Sequence, residues 1–181
     1  MKQCLLVSAL FLAISFSASA QTEKDDWMVG GNFTVNTTDN NTTIELRPSA
    51  GFFVLRNFAV GGNFLLSFSK TGQYKETRFG VGPFARLYFT DNVFRPFLHG
   101  DFTFNTMSTR QPNASKYNTH GTSFLLGVGG AYFINENVAL EAVTGYANTK
   151  TKGTDASGGF ALRVGFQVYL NKNQVASLRR H

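Results

Sequence analysis

From Trp27 to Leu170 the chain alternates, almost residue by residue, between large apolar side chains and small or polar ones. Residues 158–170 show it best. Phe160, Leu162, Val164, Phe166, Val168 and Leu170 fall on one face, and Gly159, Ala161, Arg163, Gly165, Gln167 and Tyr169 on the other. Side chains of a strand point to opposite faces with a period of two, so this pattern predicts a strand between two different environments. Seven earlier segments repeat it, at about 27–37, 42–54, 58–70, 74–89, 93–106, 121–134 and 138–148. The motif VGGNF recurs at 29–33 and 60–64, one up-and-down hairpin apart, so both strands should begin at the same end. The predicted fold is all-β, an eight-stranded antiparallel up-and-down β-barrel. Pro48 is the blemish: proline cannot donate to a ladder, which predicts a bulge or a weak pairing there.

The connections alternate. Polar loops at 38–41, 71–73, 107–120 and 149–157 lie at one end, with tight turns at 56–57, 90–92 and 135–137 at the other. Loops on one side and short turns on the other are the pattern of bacterial outer-membrane barrels, with turns and both termini in the periplasm. Trp27, Phe58, Phe89, Phe94, Tyr132 and Tyr169 would form an interfacial aromatic girdle near the turns. Tyr74, Phe104 and Tyr146 would serve the opposite rim.

Alternation alone does not assign inside and outside. A soluble lipocalin-like barrel would carry its apolar face inward. Volume decides between them. The apolar face supplies roughly forty mostly bulky groups, while an eight-stranded barrel has an interior only just wide enough for side chains. The opposite face, rich in Gly, Ser, Ala, Thr and Asn, fits that space. It is also too poor in Lys and Glu for an ordinary wet surface. Composition agrees: charged residues are 15% of the chain, against about 25% in a typical soluble domain, and 19 residues are Phe. After residue 20 no apolar run reaches the length of a spanning helix, so a closed barrel is what remains to satisfy the backbone in lipid.

Residues 1–20 read as a secretory signal peptide: Lys2, an apolar run at 5–16, then Ser-Ala-Ser-Ala with cleavage near Ala20. The barrel domain is then 21–170, and 171–181 a polar periplasmic tail. Cys4, the only cysteine, leaves with the signal, so the mature chain carries no disulfide or thiol chemistry. Losing Lys2 lowers the formal charge from +6 to +5. The positives are scattered rather than striped, which argues against a nucleic-acid partner.

The eight-strand pattern, the Gly-rich inward faces, Leu-Glu-Ala-Val-Thr-Gly-Tyr at 140–146 and the closing strand resemble the small eight-stranded outer-membrane barrels of the OmpX-like and OmpA-barrel type. The resemblance covers essentially the whole mature chain. It implies a location in the bacterial outer membrane, contact with outer-membrane lipid and lipopolysaccharide, and passage through the barrel-assembly machinery. Arg163, Gly165, Val168 and Leu170 fit the insertion signal of such barrels, polar-x-Gly-x-x-apolar-x-apolar. Family chains commonly end on an aromatic residue, whereas this one runs on through 171–181.

The inward charges are Glu45, Arg47, Arg78, Arg86, Arg95, Asp101, Glu141 and Arg163, with His99 beside Asp101. In so narrow a lumen they should pair into a polar network that plugs and stiffens the barrel. Because five Arg outnumber three carboxylates, an anion-biased conduit is the sharper alternative. A catalytic site is not expected. His99 and Asp101 share a face without a neighbouring Ser or Cys, and His120 and Ser123 fall on opposite faces. A lipid-modifying enzyme stays the alternative of another class. The three His show no clustered metal spacing, and no cofactor is implied. Loop 107–120, with Arg110, Lys116 and Tyr117, is the candidate surface for an external ligand. The expected role is structural, surface-binding or small-solute handling.

Overall fold

The computed structural model describes residues 22–38, 41–110 and 117–178. Eight antiparallel strands close on themselves in sequence order: β1 (Trp27–Thr38), β2 (Asn41–Leu55), β3 (Phe58–Thr71), β4 (Tyr74–Tyr88), β5 (Phe94–Arg110), β6 (Tyr117–Phe133), β7 (Val138–Thr151) and β8 (Ser157–Leu170). β1 pairs with both β2 and β8, from Trp27 opposite Leu170 to Phe33 opposite Val164, which closes the ring. The eight-stranded barrel read from the sequence is the fold. The signal peptide and its cleavage site lie outside the described residues.

The alternating faces land as their side chains require. Phe64, Phe79, Leu126, Leu162 and Phe166 stand exposed on the outer wall, whereas Phe53, Leu65, Phe97, Leu125 and Val143 are buried inside. The apolar outer face of β8 runs from Phe160 to Leu170. Ten steps of ~3.3 Å tilted by ~40° span about 25 Å, the height of the apolar band of an outer-membrane barrel. Above that band the outer positions turn polar, as at Lys70, Thr77, His120 and Lys150.

Three expectations change. The described part of loop 107–120 is strand: β5 continues through Met107–Arg110 and β6 begins at Tyr117, with Met107 opposite Thr119 and Thr109 opposite Tyr117. Residues 111–116, and Lys116 with them, lie outside the described residues. Likewise β7 takes in Thr149–Thr151. Ladder hydrogen bonds do not need apolar side chains, so the strands outrun the hydrophobic pattern once they leave the apolar band. Where they are described, the connections are short at both ends, and β3 joins β4 through Gly72-Gln73 alone, with Gly72 at φ 58°. The two ends differ instead in how far the β5–β6 hairpin rises. Tyr169 is not a girdle residue, because it is fully buried within the barrel.

At Pro48 the β2–β3 register passes from Leu46↔Leu66 to Ser49↔Asn63 without pairing Arg47 or Pro48, and without a shift. The weak-pairing alternative holds there, and the bulge lies further on, between Phe53 and Leu55. Pro83 leaves the same gap between β4 and β5.

The tail forms a short helix, α1 (Lys172–Leu178). Asn171 starts it with a reciprocal cap. The Gln174 amide donates to Asn171 Oδ1 at 2.8 Å, and the Asn171 amide donates to Gln174 Oε1 at 3.0 Å. Asn137 Nδ2 donates to the Tyr169 carbonyl at 2.7 Å and to Gln174 Oε1, tying the helix to the β6–β7 turn.

Candidate functional site

Most of the described charged side chains picked out by the alternation, with His99, face the lumen. They are held there by period-two alternation on a closed wall, so the site is a column rather than a cleft. Its lower half, toward the turns, is built on Arg86 of β4. Arg86 Nη1 donates to both oxygens of Glu141, at 2.9 and 2.7 Å, and to the Tyr88 hydroxyl at 3.1 Å. The Tyr88 and Tyr169 hydroxyls are 2.7 Å apart, and Tyr169 donates to Glu141 Oε1 at 2.8 Å. Since Tyr169 spends its proton on Glu141, Tyr88 must donate to Tyr169. The result is a one-way ring from Arg86 through Tyr88 and Tyr169 to Glu141. The guanidinium lies 4.3 Å from the Phe97 ring centroid, a cation–π contact. Met28, Phe53, Phe97, Ala131, Phe133 and Ala139 pack around this ring and are buried.

His99 links the lower half to the upper. Arg86 Nε approaches its Nδ1 at 3.4 Å, and its Nε2 meets Asp101 Oδ2 at 3.0 Å. A guanidinium only donates and a carboxylate only accepts, so the geometry assigns the proton to Nε2. Phe84 stacks on the imidazole at 5.9 Å. Phe84 reaches this position because Gly51 and Gly61, opposite one another across β2 and β3, carry no side chain where its ring lies.

Above His99 the ion pairs continue, buried at Asp101, Arg163 and Arg47 and wetter only toward Glu45, Glu76 and Arg78. Arg163 Nη1 donates to Asp101 Oδ2 at 2.6 Å, and Arg47 Nη1 lies 3.7 Å from Asp101 Oδ1. Arg47 Nε donates to Glu45 at 2.5 Å. Arg78 pairs with Glu76 at 3.0 Å and reaches Met107 Sδ at 3.5 Å, while its Nε is buried without a hydrogen-bond acceptor.

Arg95 is the sequence-read residue that the column leaves out. It sits at the turn end, donating to the carbonyls of Asn92 and Asp91 at 3.0 and 2.9 Å and to Thr22 Oγ1 at 2.7 Å, with Phe133 4.8 Å away. Beside it, the Asp91 carboxyl is held below the usual carboxylate range. Burial pulls the other way, but hydrogen bonds from Asn57 and Arg56 outweigh it. Sequence reasoning also missed Glu76 and the two tyrosine hydroxyls. Glu76 lies two residues before Arg78 on the same face, which was signal enough. With Glu76 counted and Arg95 removed, four Arg (47, 78, 86, 163) meet four carboxylates (Glu45, Glu76, Asp101, Glu141), so the column is balanced. The excess of arginine on which an anion-biased conduit would depend is not there.

The model of the outer membrane protein beta-barrel domain family matches residues 6–174. The chain belongs to this family. Comparison with curated proteins found no sequence match. Among solved structures, family-like barrels superpose over most of their length. Neisserial surface protein A is 20% identical with TM-score 0.56, covering 79% of this chain and 94% of that one. The N-terminal barrel domain of Pseudomonas aeruginosa OprF is 13% identical with TM-score 0.55, covering 81% and 98%. The outer membrane protein OprG of the same organism is 12% identical with TM-score 0.50, covering 84% and 99%. At these identities the likeness is one of fold. Family and fold together make this a transmembrane β-barrel of the bacterial outer membrane.

Proposed function

We propose that this chain is a non-conducting, non-catalytic barrel of the outer membrane, a structural and surface-displaying element rather than a channel. The carrying observation is the lower half of the column. Met28, Phe53, Phe97 and Tyr169 are fully buried across a lumen of eight strands, and the Arg86–Glu141–Tyr88–Tyr169 ring locks them in place. An interior this narrow filled by rings leaves no room for a hydrated ion. Both ring nitrogens of His99 are engaged, which takes away the obvious general base for an enzyme.

In this reading the signal peptide is removed near Ala20, and the turns, the termini and α1 face the periplasm. The raised hairpin of β5 and β6, with Met107–Arg110 and Tyr117–His120, faces outward toward lipopolysaccharide and any external ligand. The assembly machinery would read Arg163, Gly165, Val168 and Leu170 on the closing strand. Gly165 packs so closely on Gly31 and Asn32 of β1 that no side chain fits there, which gives the glycine of that signal a structural reason.

Planar bilayers test the proposal. The mature protein, shown folded by a heat-dependent gel shift, should give no steady conductance. Reproducible single-channel steps that disappear on neutralising Arg86 or Arg163 would overturn it.

A further inference from the structure

Among the described residues, the longest break in the barrel wall is the upper half of one seam. The β1–β8 ladder ends at Phe33 opposite Val164. Yet β1 runs on to Thr38, still paired to β2, and β8 begins at Ser157, still paired to β7. The same register would set residues 34–38 of β1 against 163–159 of β8, but those positions are not bridged. The two hairpins therefore diverge above Phe33. Gly159 has open space where a side chain would be, and Phe160 is 91% exposed. Val35, Phe160 and Leu162 keep the outer face apolar at this height. Unpaired strand edges do not stand against hydrocarbon; they are tolerated where they line a polar cavity.

Such a cavity is present. It measures about 460 Å³ and is bounded by Thr34 and Val35 on one side of the seam and by 160–163 on the other. From there it runs into the lumen to Glu45, Arg47, Arg78 and Arg163. That volume is within the range of small-ligand pockets, roughly 300–1,000 Å³. Its outer wall is apolar and its inner wall is guanidinium, so it is amphiphilic along the path from lipid to lumen.

We propose that this seam is a lateral binding site for a single-chain amphiphile with a carboxylate head, taken from the outer leaflet. The chain lies between β1 and β8 against Val35, Phe160 and Leu162. The head enters the vestibule, where Arg78 offers its unpartnered Nε and Arg47 and Arg163 flank it. Carboxylate suits a guanidinium donor. Because the three Arg are already balanced by Glu45, Glu76 and Asp101, the head is held by the free Arg78 Nε–H rather than by a net positive charge, which limits it to a single small acceptor group. The lower plug stops the ligand there, so the site binds rather than conducts. The orientation of the seam toward the outer leaflet rests on the function proposed above.

The test is solution NMR of the full mature chain folded in zwitterionic micelles, with stearic acid spin-labelled near its carboxyl end as the probe. Broadening should reach the lumen-facing positions Arg47, Arg78 and Ser123, and should fall at least threefold when the methyl ester replaces the acid. Ala161→Phe, which fills the mouth of the cavity, should abolish the lumen effect while keeping the gel shift, with Ala161→Leu as the milder variant. Broadening confined to outward-facing residues would overturn the site, and equal effects of acid and ester would overturn the carboxylate head. Hydrogen exchange on the unaltered chain is a second arm. Amides of 34–37 and 159–163 should exchange at least tenfold faster than those of 27–33, and equal protection would overturn the open seam. Conductance reads the lower plug and the probe reads the upper seam, so each proposal can fail alone.

Discussion

Arg86 and Arg78 stand on the same strand and the same face, eight residues apart, in different solvents. The Arg86 side chain is 3% exposed, its carboxylate partner Glu141 equally sheltered, with tyrosine hydroxyls completing the ring. The Arg78 side chain is 26% exposed, and its carboxylate comes from two residues away on its own strand. The first pair joins β4 to β7 across the lumen; the second spans nothing. Identical chemistry thus does opposite jobs. From Glu141 up to Asp101, buried ion pairs cross-brace the barrel and exclude water. At Arg78, near the upper end, an ion pair only decorates a vestibule.

Removing one partner of the lower pair separates the two halves most sharply. Glu141→Ala leaves a buried guanidinium uncompensated, and should lower unfolding stability in detergent by about 3–5 kcal/mol, read as a drop in the urea midpoint. Tyr169→Phe keeps the packing but removes the donor to Glu141 and the acceptor for Tyr88. It should cost about 1–3 kcal/mol by the same measurement. In the upper half Glu76→Gln should shift the midpoint by less than about 1 kcal/mol. If it costs as much as Glu141→Ala, the division into halves is wrong.

The smallest expected effect lies outside the column, at Asp91. Its carboxyl is held low in the folded state by Asn57 and Arg56, so its contribution is complete above the unfolded carboxylate range and is lost as the pH falls through the folded value. Acid titration of unfolding should show a slight loss below about pH 4 that Asp91→Asn removes. A loss on raising the pH instead would contradict the sign.

The fold was legible in the sequence because one physical rule, alternation against lipid, governs nearly every position from Trp27 to Leu170. It failed where that rule stops. Above the apolar band, Met107–Arg110 and Tyr117–His120 look like loop because their side chains no longer need to choose a solvent, although their backbones still pair. In the site, alternation placed Arg86, Glu141, His99, Asp101 and Arg163 on the inner wall. It said nothing of height, so it could not tell that Arg86 meets Glu141, 55 residues away, or that Arg95 belongs to a turn. Tyr169 was read as a girdle residue from its position near a strand end, yet its parity already placed it inside. The β1–β8 seam was beyond reach, since divergence of two hairpins leaves no mark in hydrophobic period.

The shortness of that seam has a kinetic side. Seven paired positions join β1 to β8, against twelve to sixteen at the seven other ladders. Those seven must also bring together the most distant parts of the chain. Closing a loop of about 130 residues costs on the order of 4 kcal/mol by its length-dependent part alone, whereas each hairpin closes locally. Contacts of such long range form late in folding. The barrel should therefore zip up from its hairpins and clasp last at Trp27 and Leu170, and under denaturant it should come undone in the reverse order, starting from a clasp that is already half open.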